Sequence, residues 1–129
     1  MKVVVVEDSS WMRDLLVRSI DALPNVRVVG VATDERQAVE LIVRTRPGCV
    51  VINLNLADGS GLDTIRAARL QGFSGGARLL TFGEIHREYV AMGESLGFVG
   101  YYDKATDLER LKSDIACEAS ARAAGRGSD

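Results

Sequence analysis

Five polar side chains stand directly after short apolar runs: Glu7 and Asp8, Asn53, Thr81 and Lys104. Each type has an ordinary reading. Adjacent acids before a helix complement its dipole, a Thr closing a strand is structural, and a Lys after a strand is solvated surface. Asn53, which ends the run Cys49-Val50-Val51-Ile52, is the most informative of the five. A carboxylate there could act as a nucleophile, whereas a carboxamide oxygen is a neutral acceptor with little nucleophilicity. What argues for a site is the joint placement of carboxylates, carboxamide, hydroxyl and ammonium at the ends of successive runs.

The elements that must position these groups follow from hydrophobic periodicity. Val3-Val4-Val5-Val6 is unbroken apolar, the profile of a strand buried on both faces. Met12, Leu15, Leu16, Ser19, Ile20 and Leu23 recur at helical spacing until Pro24. Val26 to Val31 reads as a second strand. Asp34 with Gln37 reads as a capping box opening a helix that Pro47 stops. Cys49 to Ile52, Ala77 to Phe82 and Phe98 to Tyr102 read as further strands. The helices between them carry Leu62, Ile65 and Leu70, then Ile85, Tyr89, Met92 and Leu96. Thr106 with Glu109 reads as a second capping box, ahead of Leu108, Leu111 and Ile115.

Five such strand–helix units predict an α/β domain, a parallel sheet with helices on both faces and a doubly wound order. Ligands of such sheets bind beyond the carboxyl ends of the strands, where the five polar groups fall. The reading places one domain over residues 1–120 and a flexible tail over 121–129, which are small and polar.

At 129 residues and net charge −2 the chain has the composition of one globular domain, with no sign of a nucleic-acid partner. Its longest apolar run is far short of a membrane span, and no basic leader precedes a long apolar segment, so a cytoplasmic location is expected. Cys49 and Cys117 are expected to be reduced core residues rather than a bridge.

The ordered set of motifs resembles the receiver domain of response regulators over nearly the whole chain, from Met1 to about Cys117. It is carried by Val3-Val4-Val5-Val6-Glu7-Asp8, Asn55-Leu56-Ala57-Asp58-Gly59-Ser60-Gly61-Leu62, Leu79-Leu80-Thr81 and Gly100-Tyr101-Tyr102-Asp103-Lys104. The opening Glu7-Asp8-Ser9-Ser10-Trp11-Met12-Arg13 is similar to receivers of the chemotaxis type. The resemblance implies a flavodoxin-like fold of five βα units with strand order 2-1-3-4-5. It also implies chemistry in which an Asp at the end of the third strand accepts a phosphoryl group from a sensor histidine kinase. On that mapping Mg²⁺ would be held by Asp8, Glu7, position 53 and the Asn55 carbonyl. Thr81 and Lys104 would bind the phosphoryl oxygens, and Tyr101 would be an aromatic switch. The fourth helix, fifth strand and fifth helix, with Ile85, His86, Arg87, Tyr89, Tyr101 and Lys112, would form the partner-binding face.

The departures from the pattern carry as much information as the matches. Asn53 stands where the family has its acceptor Asp, so Mg²⁺ is expected to bind only weakly and Lys104 to turn to Asp8 or Glu7. Ala57 and Ala105 stand where Pro is frequent, and Phe82 where a small residue is usual, shading the space of a phosphoryl group. The reading that follows is a stand-alone receiver-like signalling module, not an enzyme, acting by protein contact in a two-component or phosphorelay system. Two alternatives stay open. One is an ordinary phosphoacceptor receiver carrying an Asp→Asn change at position 53. The other is a flavodoxin-like binder of a small cofactor, although no Gly-rich phosphate loop follows the first strand.

Overall fold

The computed structural model describes residues 1–127. Strands and helices alternate without exception: β1 (Lys2–Val6), α1 (Ser10–Asp21), β2 (Arg27–Ala32), α2 (Glu35–Thr45), β3 (Cys49–Asn53), α3 (Gly61–Leu70), β4 (Gly76–Thr81), α4 (Arg87–Ser95), β5 (Phe98–Asp103) and α5 (Leu108–Gly127). The five strands form one parallel sheet in the order β2-β1-β3-β4-β5. This is the doubly wound α/β fold that the alternation predicts.

Side chains of successive strand residues point to opposite faces, and the sheet sorts them into two cores. Val4, Val6, Val50, Ile52, Ala77 and Leu79 pack with Ala38, Leu41 and Ile42 of α2 and with Leu62, Ile65 and Ala68 of α3. Val3, Val5, Cys49, Val51 and Leu80 pack with Met12, Leu16 and Ile20 of α1 and with Leu111 and Ile115 of α5. Burial on both faces is why the central strands read as unbroken apolar runs.

Helix starts follow local chemistry. Ser9 caps α1, Asp34 caps α2 by accepting from the Gln37 amide at 2.9 Å, and Ser60 caps α3. The Gln37 side chain reaches back to Thr33 rather than to Asp34 itself. α2 ends at Arg46, whose φ of 48° is left-handed, just ahead of Pro47. The second capping box is not found. α5 begins at Leu108, and the Asp107 carboxylate before it accepts from the Asp103 amide at 2.8 Å.

The end of the chain differs from the sequence reading. Residues 121–127 continue α5 instead of forming a tail, and Arg122 reaches the Gly48 carbonyl at 3.2 Å. Residues 128–129 lie outside the described residues. Small residues such as Ala121, Ala123 and Ala124 leave little apolar periodicity to see, yet alanine is the strongest helix former. Both cysteines are free, but only Cys49 is a core residue. Cys117 faces solvent on α5.

Candidate functional site at the carboxyl edge of the sheet

Four strand ends converge on one pole, and each site residue owes its place to the element before it. Glu7 directly follows β1 and is completely buried. Its Oε1 accepts from the Ser9 amide at 3.1 Å, and its own carbonyl accepts from Arg13 Nη1 at 3.3 Å. Burial raises the pKa of the Glu7 carboxyl above its ordinary value, against the lowering pull of the Ser9 amide and the Lys104 ammonium. Asp8, the next residue, is exposed.

Lys104 follows β5 and folds back across the pole. Its Nζ lies 3.0 Å from Glu7 Oε2, and its side chain is only 4% exposed. The Lys104 amide donates to the Thr81 carbonyl at 2.7 Å, which ties the lysine to the end of β4. Phe82, outside the strand that the sequence reading gave it, swings over the lysine. Nζ sits 4.4 Å from the ring centroid, while the ring itself is 71% exposed. The aromatic face and the carboxylate therefore hold the ammonium between them.

Asn53 is the last residue of β3 and is nearly buried. Its Nδ2 donates to the Asn55 carbonyl at 2.5 Å. An amide oxygen in that place would set two acceptors against each other, so the nitrogen must face the carbonyl. The loop around it is pinned: the Leu54 amide donates to Leu80 O, Gly61 N donates to Leu54 O, and Asn55 bridges to Ser60. Gly61 packs on the Asn53 carbonyl so closely that a Cβ would lie 2.5 Å from that oxygen. Glycine at 61 is thus required by close approach.

Thr81 is buried and its Oγ1 donates to the Gly83 carbonyl at 2.9 Å, within its own loop. Tyr101, on β5, is half-buried against α4. Its hydroxyl donates to the Val90 carbonyl at 3.2 Å and its ring stacks on Phe98. Burial raises its pKa.

Glu7, Lys104 and the Asn53–Asn55 pair are thus brought together at one pole, with Thr81 beside them and Tyr101 one layer away under α4. The contacts of Phe82 and Arg13 with this cluster are new relative to the sequence reading. An exposed aromatic at a strand end gives a sequence signal, but its lysine partner lies 22 positions away (104 − 82), with no periodicity linking them.

A divalent cation does not fit the donors as they are arranged. Glu7 is already neutralised by Lys104, position 53 is uncharged, and the Asn55 carbonyl already accepts from Asn53. Asp8 is exposed, and its side chain interacts with that of Glu7, raising the Glu7 pKa further. Among the described residues no three His, Cys, Asp or Glu side chains converge as a metal site.

A larger groove, of about 790 Å³, lies at the opposite pole, lined by Lys2, Arg27, Arg46 and Arg122. Two of the cations there have local duties. Lys2 donates to the Thr45 carbonyl at the end of α2, and Arg122 donates to the Gly48 carbonyl. The polar groups singled out in the sequence lie at the carboxyl edge, away from that groove.

Fold and site together define a doubly wound α/β domain with a lysine–carboxylate–carboxamide cluster at the switch point of its sheet. Residues 3–116 match the response regulator receiver domain family, and the chain belongs to it. Solved structures agree. The response regulator domain of Thermotoga maritima CheB superposes with a TM-score of 0.80 at 20% identity, covering 94% of each chain. The receiver domain of AraT from Geobacillus stearothermophilus gives 0.82 at 25% identity and 97% coverage of each. Among curated relatives, a protein-glutamate methylesterase/protein-glutamine glutaminase of Syntrophus aciditrophicus is 39% identical over 66 residues, 51% of this chain and 19% of that protein. The transcriptional regulatory protein CitB of Klebsiella pneumoniae is 27% identical over 126 residues, 98% of this chain and 53% of that protein. The chain spans from a fifth to about half the length of these relatives. No described helix is long and apolar enough to cross a membrane.

Proposed function

We propose that this receiver signals by protein contact without aspartyl phosphorylation. The observation that carries the reading is Asn53. At the end of β3 the chain offers a carboxamide whose nitrogen is committed to the Asn55 carbonyl, so no nucleophilic oxygen is free at the acceptor position. The neighbouring groups are likewise satisfied internally: Thr81 by Gly83, and Lys104 by Glu7 and Phe82.

The partner is a sensor histidine kinase or another signalling protein, met through the face formed by α4, β5 and α5. Tyr101 supports that face from beneath, because its hydroxyl holds the Val90 carbonyl of α4. Met92 and Val99 are exposed on the same face, as are His86 and Arg87. Two features support the second reading, an ordinary phosphoacceptor receiver with Asp→Asn at position 53. Thr81 and Lys104 keep their places at the ends of β4 and β5, and the loop after β3 keeps its pinned geometry.

Intact mass after incubation with Mg²⁺ and acetyl phosphate separates the readings, run on this chain and on Asn53→Asp. The unchanged chain is expected to gain no mass, and a phosphoryl adduct on it would defeat the proposal. An adduct on Asn53→Asp alone would place the loss at one residue, in a pocket otherwise competent. No adduct on either would extend the loss to Phe82 and Ala57.

A further inference from the structure

We infer that Lys104 is the resident cation of this pocket and that it excludes divalent metal ions. The inference rests on the phosphorylation-independent reading of the same site and says what fills the pocket instead of a metal.

Three observations converge on it. First, the buried carboxylate of the cluster, Glu7, already has a positive partner at 3.0 Å, and that partner is shielded from water. To bind through Glu7, a divalent ion would have to displace an ammonium that is 96% buried (100 − 4) and move it to solvent. Second, Phe82 keeps the ammonium there. Its ring lies 4.4 Å from Nζ and is itself exposed while the lysine side chain is not, so it adds cation–π attraction and covers the lysine. Third, Asn53 removes the demand for a second cation. Its Nδ2 meets the Asn55 carbonyl as a donor at 2.5 Å. A carboxylate at 53 would set an anionic oxygen against that same carbonyl and would need a cation between them. Glu7, Asp8 and Lys104 sum to a single negative charge, which one exposed carboxylate carries in water.

Asn53, Lys104 and Phe82 therefore act together. The asparagine keeps the charge low, the lysine neutralises what is buried, and the aromatic ring holds the lysine in. Such a pocket keeps one arrangement whatever the metal concentration around it.

The test uses Mn²⁺ as the probe, followed by the loss of its free-ion electron paramagnetic resonance signal. Thermal melting across a millimolar range of MgCl₂ at fixed ionic strength accompanies it. The unchanged chain, Asn53→Asp and Lys104→Met are compared. The unchanged chain is expected to show no saturable Mn²⁺ binding below millimolar concentration and a melting temperature that Mg²⁺ does not move. Asn53→Asp is expected to bind Mn²⁺ at least about tenfold more tightly and to melt higher as Mg²⁺ rises. Lys104→Met, which frees Glu7, is expected to bind more tightly than the unchanged chain.

Saturable submillimolar binding by the unchanged chain would overturn the inference, as would Lys104→Met binding no better than it. Should Lys104→Met fail to fold, the titration of the unchanged chain decides alone. Metal binding without phosphoryl uptake would sink this inference and leave the proposed function standing. Phosphoryl uptake by the unchanged chain would sink the proposed function itself.

Discussion

Lys104 pairs with Glu7 at the carboxyl edge of the sheet, whereas Arg78 pairs with Glu118 inside the layer between the sheet and α5. Both cations are sequestered: the lysine side chain is 4% exposed and the arginine side chain 8%. Their surroundings differ. Lys104 has one carboxylate and one aromatic face. Arg78 has a network in which Nη1 donates to Tyr102 Oη at 2.7 Å and Nη2 to Glu118 Oε1 at 2.9 Å. Tyr102 in turn donates to Asp114 at 2.8 Å, so a sheet position that could have been aliphatic stitches β4 and β5 to two turns of α5. The group that each pair would leave behind differs as well. Glu7 is wholly buried and can shed its charge by taking up a proton. Arg78 cannot shed its own charge at all, because a guanidinium does not deprotonate in proteins. Stripped of its partner, Glu7 can be neutralised by a proton and Arg78 cannot.

The largest effect is therefore expected on the arginine side. Glu118→Ala leaves a guanidinium buried with a tyrosine hydroxyl as its remaining hydrogen-bond partner, and Nε already has none. A loss of about 3 kcal/mol is expected, the low end for an uncompensated buried charge, since Tyr102 still contacts it. Urea denaturation would show this as a lower midpoint, with nearly the same loss at mildly acid and mildly alkaline pH. A loss confined to high pH would refute the contrast.

Lys104→Met comes second, and its signature is its pH dependence. Burial already raises the Glu7 pKa above its value in the unfolded chain, and the ammonium is one of the groups holding it down. Without Lys104 the folded-state pKa climbs further. Between the unfolded and folded values the native state binds the extra proton, so stability falls as pH rises through that window. The variant is expected to lose about 2 kcal/mol at mildly alkaline pH and less at mildly acid pH, toward which Glu7 takes up its proton. Equal losses at the two pH values would mean that Glu7 does not govern the cost.

The two pairs were unequally legible in the sequence, for a physical reason. Glu7 and Lys104 stand where β1 and β5 run out, and strand ends are marked by the break of an apolar run. Asn53 and Thr81 were legible on the same terms. Arg78 sits within β4, between Ala77 and Leu79, on the face that takes apolar partners in β1 and β3. Its anion lies 40 positions away on α5 (118 − 78), at a place where periodicity announces only a helix. The end of α5 was hidden for a related reason. Ala-rich helices carry propensity without pattern, and Arg122 docks by a backbone carbonyl that no side-chain motif records. Strand count and a doubly wound sheet follow from alternation and from the one-hand rule of crossovers, whereas the particular order came with the family resemblance. The turning of Phe82 over Lys104 follows from neither, because it is decided by which rotamer finds a cation.

The smallest expected effect sharpens the comparison from the alkaline side. Tyr102 joins Arg78 to Asp114, and burial, then the hydrogen bond to Asp114, push its hydroxyl pKa up to about 12. Cys49, on the same face, is pushed up to about 12 by burial. In the unfolded chain both groups ionise earlier, the thiol from an ordinary value of 9.0 and the phenol from 10.0. Over that interval the native state keeps protons that the unfolded chain has released, so stability falls as pH rises toward 12. Tyr102→Phe removes the phenol's share of that fall. At neutral pH it deletes two hydrogen bonds, at a cost of about 1–2 kcal/mol. Unfolding free energies measured at pH 7 and at pH 11 should therefore converge between variant and parent as the solution becomes alkaline. A gap as wide at pH 11 as at pH 7 would show that the arginine, not the protonated phenol, carries the network, and that the two buried pairs are more alike than their geometry implies.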